Sequence, residues 1–161
     1  MDAREPGDKQ RALAQVVERV LAAFHPQSGT ILDELVISLT PQAVKSACQL
    51  ARDDPELAFD YLRCLSVVDL GNTLQVVYHL YSTRHRHKMV IKVALPPGER
   101  RISSVTPLWP GADWHEREAY DLFGVTFEGH PKLKPLLLWE GFPGHPLLKS
   151  YPVSGLEEVP G

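Results

Sequence analysis

Leu13, Val16, Val17, Val20, Leu21 and Phe24 recur at three- and four-residue spacing, with Arg11, Gln15, Glu18 and Arg19 between them. That is the period of an amphipathic helix over residues 9–24. His25-Pro26 ends it, because a residue before proline is driven out of helical geometry. Residues 31–39 are rich in branched side chains and predict a strand. Thr40 before Pro41 reads as a cap followed by proline at the first helical position, so a helix is expected to about Arg52, burying Val44, Ala47, Cys48 and Ala51. Asp54-Pro55 repeats the signal and predicts a short helix to Arg63.

Two strands follow. Leu74, Val76, Tyr78 and Leu80 alternate with Gln75, Val77, His79 and Tyr81 over residues 74–83. Met89, Ile91 and Val93 mark the inward face of residues 88–95. The polar run Arg84-His85-Arg86-His87 joins the two as a hairpin, with Gly71-Asn72 turning before the first and Pro96-Pro97-Gly98 closing the second. An edge strand is expected over 102–108. A last helix starts at Asp113, where Glu116 sits at the position of an acidic capping box, and stops at Gly124, a residue suited to left-handed geometry. Within it, Arg117 and Asp121 lie one turn apart on one face, and Glu116 and Tyr120 share another.

Beyond residue 124 the character changes. Six prolines and five glycines interrupt a stretch that still carries Leu133, Leu136, Leu137, Leu138, Trp139, Phe142, Leu147 and Tyr151. Proline removes sheet donors and breaks helices, so this stretch builds no core of its own, yet it is too apolar for a solvated tail. The expectation is an α+β domain at 1–124, its helices on one face of a mainly antiparallel sheet, and an extended partner-binding tail at 125–161.

Composition narrows the function. The 161 residues are 43% hydrophobic and carry a net charge of -3, giving nucleic-acid binding no electrostatic support. Cys48 and Cys64 alone make neither a disulfide framework nor a metal or iron–sulfur spacing. No apolar run reaches the ~18–20 residues of a spanning helix, and residues 1–10 lack a signal-peptide core. The chain is therefore expected to be soluble and to reach a membrane only through a partner.

Few groups suggest chemistry. His115-Glu116 opens like a zinc-protease helix, but Ala119 stands where the second histidine belongs. His79, His85 and His87 neighbour a basic run that repels a cation. His130-Pro131 and His145-Pro146 suit hydrogen-bond anchors in extended chain. Phosphate loops, nucleophile elbows and heme motifs are absent.

The stretch from Glu116 onward resembles a known family. Glu116-Arg117-Glu118, then Asp121-Leu122-Phe123, His130, Lys134 and Leu136-Leu137 match, at their spacings, the signature of the C-type, thirty-kilodalton subunit of proton-pumping NADH:quinone oxidoreductase (respiratory complex I). Trp109-Pro110-Gly111-Ala112, Val76-Val77-Tyr78-His79-Leu80 and the tail residues His145, Pro146, Leu147, Lys149 and Tyr151-Pro152 extend the likeness over about residues 60–155. Lys134 stands where arginine is often found, and residues 138–142, Leu148 and Ser150 depart from the usual tail. The resemblance implies a peripheral-arm component on the cytoplasmic face with no catalytic residues and no cofactor or metal of its own. Iron–sulfur clusters, FMN and quinone would sit in partner chains. It implies packing on the large, D-type quinone-site subunit, near the B-type iron–sulfur subunit, with Glu116, Arg117, Glu118, Asp121 and the tail as the contact. Equivalent subunits of membrane-bound hydrogenases, formate-oxidising complexes or ferredoxin-dependent complexes share the pattern. A free-standing metal hydrolase or an assembly scaffold are the other readings.

Overall fold

The computed structural model describes residues 7–31 and 34–152. Helix α1 (Asp8–Val20) begins where Gln10 Oε1 accepts the Gly7 N–H, and it buries Leu13 and Val17. It tightens into a 3₁₀ turn, Ala22–Phe24, and stops at His25, whose φ of 49° is left-handed. The helix thus stops just before Pro26, in left-handed rather than the extended geometry usual for a residue before proline.

The strand expected at 31–39 forms over residues 34–38, and an unexpected strand precedes it. β1 (Gln27–Ile31) pairs antiparallel with β2 (Glu34–Ser38). Every residue of β1 is exposed, so it carries no apolar period to detect. Helix α2 (Val44–Asp53) starts after a turn at residues 41–43 and buries the four residues expected of it. Burial pushes the Cys48 thiol up to about 12, so it carries no thiolate at neutral pH.

The helix expected at 55–63 does not form. Asp54 Oδ1 accepts the N–H groups of Glu56 and Leu57, closing a turn, and Ala58 is left-handed at φ 44°. Strand β3 (Tyr61–Asp69) follows, with a bulge between Leu62 and Cys64. A bulge shifts the inward side chains by one position, which hides a strand from any test of strict alternation. β4 (Leu74–Tyr81) and β5 (Lys88–Ala94) form the expected hairpin.

The five strands order as β1-β2-β5-β4-β3, all antiparallel except β2 with β5. Leu35, Ile37, Val67, Val76, Tyr78, Leu80, Met89, Ile91 and Val93 turn one face of the sheet toward the helices and form the main core with Val17, Leu21, Val44, Ala47 and Phe59. Among the described residues, the opposite face has only a small separate cluster, Val36, Val77 and Val90.

The edge strand expected at 102–108 is shorter and lies elsewhere. β6 (Arg101–Ser103) pairs in parallel with β7 (Thr126–Glu128) as a second, two-stranded sheet. Val125 and Phe127 join the main core, so the first residues after the last helix are part of the body. That helix, α3 (Ala112–Phe123), has no side-chain cap. The acidic capping box is not made, because Glu116 turns inward. Gly124 does end α3 in left-handed geometry, at φ 73°.

Candidate functional site

Helix α3 works on two faces. Its inner face buries Ala112, Glu116 and Ala119. Glu116 is wholly buried. Oε1 accepts the Val105 N–H at 2.7 Å, and Oε2 accepts the hydroxyls of Ser104 at 2.6 Å and Thr106 at 3.1 Å. Burial raises the carboxyl's pKa, and these three donors hold that rise back. The carboxylate thus ties α3 to the chain leaving β6.

The outer face repeats every fourth residue, at Asp113, Arg117 and Asp121, and each position holds part of the tail. His130, whose side chain is fully buried, accepts the Lys132 N–H on Nδ1, which leaves its proton on Nε2, facing the Asp113 carbonyl at 3.4 Å. Asp113 Oδ1 lies 3.1 Å from the same nitrogen, at an angle too poor for a hydrogen bond. Arg117 donates to the carbonyls of Lys134 and Pro135, each at 3.2 Å, and its guanidinium lies 5.5 Å from the Trp114 ring centre.

Asp121 makes the firmest grip. Its Oδ2 accepts three successive backbone N–H groups, from Leu136 (3.0 Å), Leu137 (2.8 Å) and Leu138 (2.9 Å). Consecutive N–H groups converging on one point make an anion nest. Burial alone would raise the pKa of Asp121, but the three N–H groups outweigh it and hold the carboxyl below the usual range.

Farther along, His145 Nδ1 donates to the Asp121 carbonyl at 2.8 Å, and the Leu147 N–H donates to the Leu122 carbonyl at 3.1 Å. Asp69, at the end of β3, accepts the Lys149 N–H at 2.8 Å. Trp139 meets Phe142 edge-on with centroids 4.6 Å apart, and Phe142 stacks on Tyr151 at 6.2 Å. A hollow of about 190 Å³ lies among Tyr120, Asp121, Pro135, Trp139, Phe142 and His145.

The His145 ring fits against α3 only because position 124 has no side chain. A Cβ there would come within 2.6 Å of the ring, in a backbone conformation that already disfavours one. Gly124→Ala is expected to destabilise the protein by about 2 kcal/mol, from left-handed strain plus displacement of the ring. Thermal melting checks the cost, and amide exchange at Leu147 checks whether the tail loosens there.

The structure thus brings together most of the residues expected as the contact site, though largely with one another. Glu116, Arg117, Asp121, His130 and His145 are internal fasteners, Lys134, Leu136 and Leu137 contribute backbone groups, and Leu122 contributes its carbonyl. Phe123 packs partly into the core, Pro146 is half-buried, and Glu118 is exposed. Sequence reasoning misses Ser104, Thr106 and Asp69, whose roles depend on contacts distant along the chain. His85 and His87 bind the carbonyls of Pro55 and Leu57 at 2.8 and 2.7 Å. No group of three metal-ligating side chains occurs among the described residues, nor is any described helix long and apolar enough to cross a membrane.

A mixed five-stranded sheet backed by helices is a small α+β fold that recurs in solved structures. One solved example is a trypsin-resistant fragment of Nqo5, 28% identical, which superposes with a TM-score of 0.61 over 75% of this chain and 98% of that one. The fold recurs in a structure of a membrane-bound sulfane sulfur reductase, an archaeal respiratory membrane complex, with a TM-score of 0.79 over 92% of this chain and 89% of that one at 18% identity.

Residues 37–157 match the respiratory-chain NADH dehydrogenase 30 Kd subunit family, and the chain belongs to it. Its relatives include the C-type subunit of NADH-quinone oxidoreductase from Roseiflexus sp. (strain RS-1), 41% identical over 91% of this chain and 87% of the relative. The corresponding protein of a Nocardioides strain is 35% identical over 94% and 67%. The chain is accordingly a subunit type of NADH-quinone oxidoreductase, and its partners are other subunits of that complex.

Proposed function

We propose that this chain is a non-catalytic, cofactor-free subunit of the peripheral arm of an ion-translocating NADH:quinone oxidoreductase, on the cytoplasmic face of the membrane. It braces the large, D-type quinone-site subunit, beside the B-type iron–sulfur subunit, and so supports electron transfer coupled to proton translocation without carrying electrons itself. The observation that carries this reading is the surface of α3 and the strapped tail. Trp114 on α3 and Leu137, Trp139 and Leu147 on the tail are all more than half exposed, and the tail's backbone is pinned to α3 by Arg117, Asp121 and His145. Large aromatic and aliphatic side chains held out on a rigid frame are the composition of interface anchors. The side chains expected to meet the partner directly are these four, while Arg117, Asp121 and the histidines set the shape that presents them.

Arg117→Ala removes both carbonyl contacts and the cation over Trp114. Retention in the complex is expected to fall about fivefold to tenfold, with the isolated chain's stability changed by less than about 1 kcal/mol, because the group is exposed. Native gel electrophoresis of detergent-solubilised membranes reads the first, and thermal melting the second. Assembly at the native level would count against the bracing role.

The sulfane sulfur reductase likeness favours one second reading, an equivalent subunit of a related membrane-bound redox complex. Co-purified subunits identified by mass spectrometry separate the two, since only the first reading requires the flavin-containing NADH-oxidising subunits.

A further inference from the structure

The exposed large apolar side chains fall into two main groups. One is the α3 and tail surface. The other lies on the face of the sheet that no described helix covers, where Ile31, Val68 and Leu70 are 51%, 42% and 49% exposed. These three rim an open groove of about 790 Å³. Its floor is the cluster of Val36, Val77 and Val90, only 5–7% exposed because Gln75, His79, Lys88 and Lys92 stand around them.

A sheet face meant for water alternates polar residues outward. This one places an aliphatic residue outward on each of its five strands: Ile31, Val36, Val90, Val77 and Val68 in spatial order. The charges are uneven as well. Among the described residues Glu34 is the one carboxylate lining the groove, and it is shared by Lys88 at 2.9 Å and Arg63 at 3.5 Å. Lys92 has no acidic partner among the described residues. Among the described residues that line the groove, two lysines therefore stand against one carboxylate. From Ile31 on β1 to Val68 on β3 is four strand spacings, about 19 Å, wide enough to seat a helix of ~10–12 Å diameter.

We propose that this bare sheet face, with its aliphatic floor and surplus lysine charge, seats one acidic amphipathic helix of a neighbouring subunit. The helix lays its apolar stripe along Val36, Val77 and Val90 and sets a carboxylate against Lys92. This contact is separate from the α3 and tail surface, so the chain would bridge two neighbours rather than cap one.

The test uses the assembled complex. A Val68→Cys reporter is built with Cys64→Ser, leaving the buried Cys48 as the other thiol. Its reaction with N-ethylmaleimide is expected to be at least about tenfold slower in the complex than in the isolated chain. Equal rates would overturn the proposal. A photo-crosslinking residue at Leu70 then identifies the occupant. A crosslink into an acidic helix of another subunit supports the proposal. A crosslink into a second copy of this chain, into lipid or into any other kind of segment overturns it. Lys92→Glu, which leaves the apolar floor intact, is expected to raise the reporter's rate in the complex about fivefold, and no rise removes the case for an acidic partner.

Discussion

Glu116→Ala is expected to cost about 3–5 kcal/mol, while Glu116→Gln costs less than about 1 kcal/mol. Alanine leaves the Val105 N–H and the Ser104 and Thr106 hydroxyls without their acceptor, in a site with no exposure to water. It also opens a cavity beneath α3. Glutamine refills that space. Its carbonyl oxygen can take the Val105 N–H, and its amide can donate to the two hydroxyls, which rotate to accept. Burial raises the native carboxyl's pKa, so the folded protein holds this proton more tightly than the unfolded chain does. The corresponding stability is complete below the unfolded value of about 4.3 and is lost as pH rises through the folded value. The glutamine variant lacks that loss, so its stability relative to the native chain should rise as pH goes from acid to neutral. Denaturant melts of both variants across that range decide it. Equal damage from alanine and glutamine would mean that the charge itself holds the site together.

Asp121→Ala is expected to destabilise the chain by about 2–4 kcal/mol and to release residues 136–138, since hydrogen bonds to an ionised acceptor are worth roughly twice neutral ones. Asp121→Asn keeps one oxygen for the nest but no charge, and should fall between native and alanine. Here the pH dependence runs the other way. The folded pKa lies below the usual carboxylate value because the three N–H groups outweigh burial. The stabilisation is therefore complete above the unfolded value of about 3.9 and disappears as pH falls through the folded value. Amide exchange at Leu136, Leu137 and Leu138 reports it directly. Their protection should be lost on acidification in the native protein and should be low and pH-independent, apart from the intrinsic exchange rate, in the asparagine variant. Strong protection of the three amides in Asp121→Ala would refute the nest as the tail's main fastener. Acid thus loosens the outer face of α3 while leaving the inner face intact, although the two carboxylates are five residues apart.

Elements with a clean period are legible along the chain. The β4–β5 hairpin and the buried face of α2 follow from side chains that alternate or recur at helical spacing, and Gly124 is marked by its position after α3. β1 is not legible because all its residues are exposed, and β3 is not because a bulge breaks its alternation. Glu116 reads as a cap, since a carboxylate at the third helical position normally serves the helix end and an ionisable group on a core face is rare. The Arg117 and Asp121 stripe is visible as a helix face, but its partners 15–18 residues onward are not.

What the sequence determined by itself was the α+β class, the signature stretch from Glu116 and the change of character beyond residue 124, all of them local or periodic properties. Only the tertiary structure decided that the signature is turned inward as a clamp, with two carboxylates collecting N–H and hydroxyl donors from distant segments. It also decided that one sheet face stays bare. A hydrogen bond to a carboxylate depends on where a donor arrives in space, and that is settled by packing the sheet, α3 and the tail together rather than by any spacing along the chain.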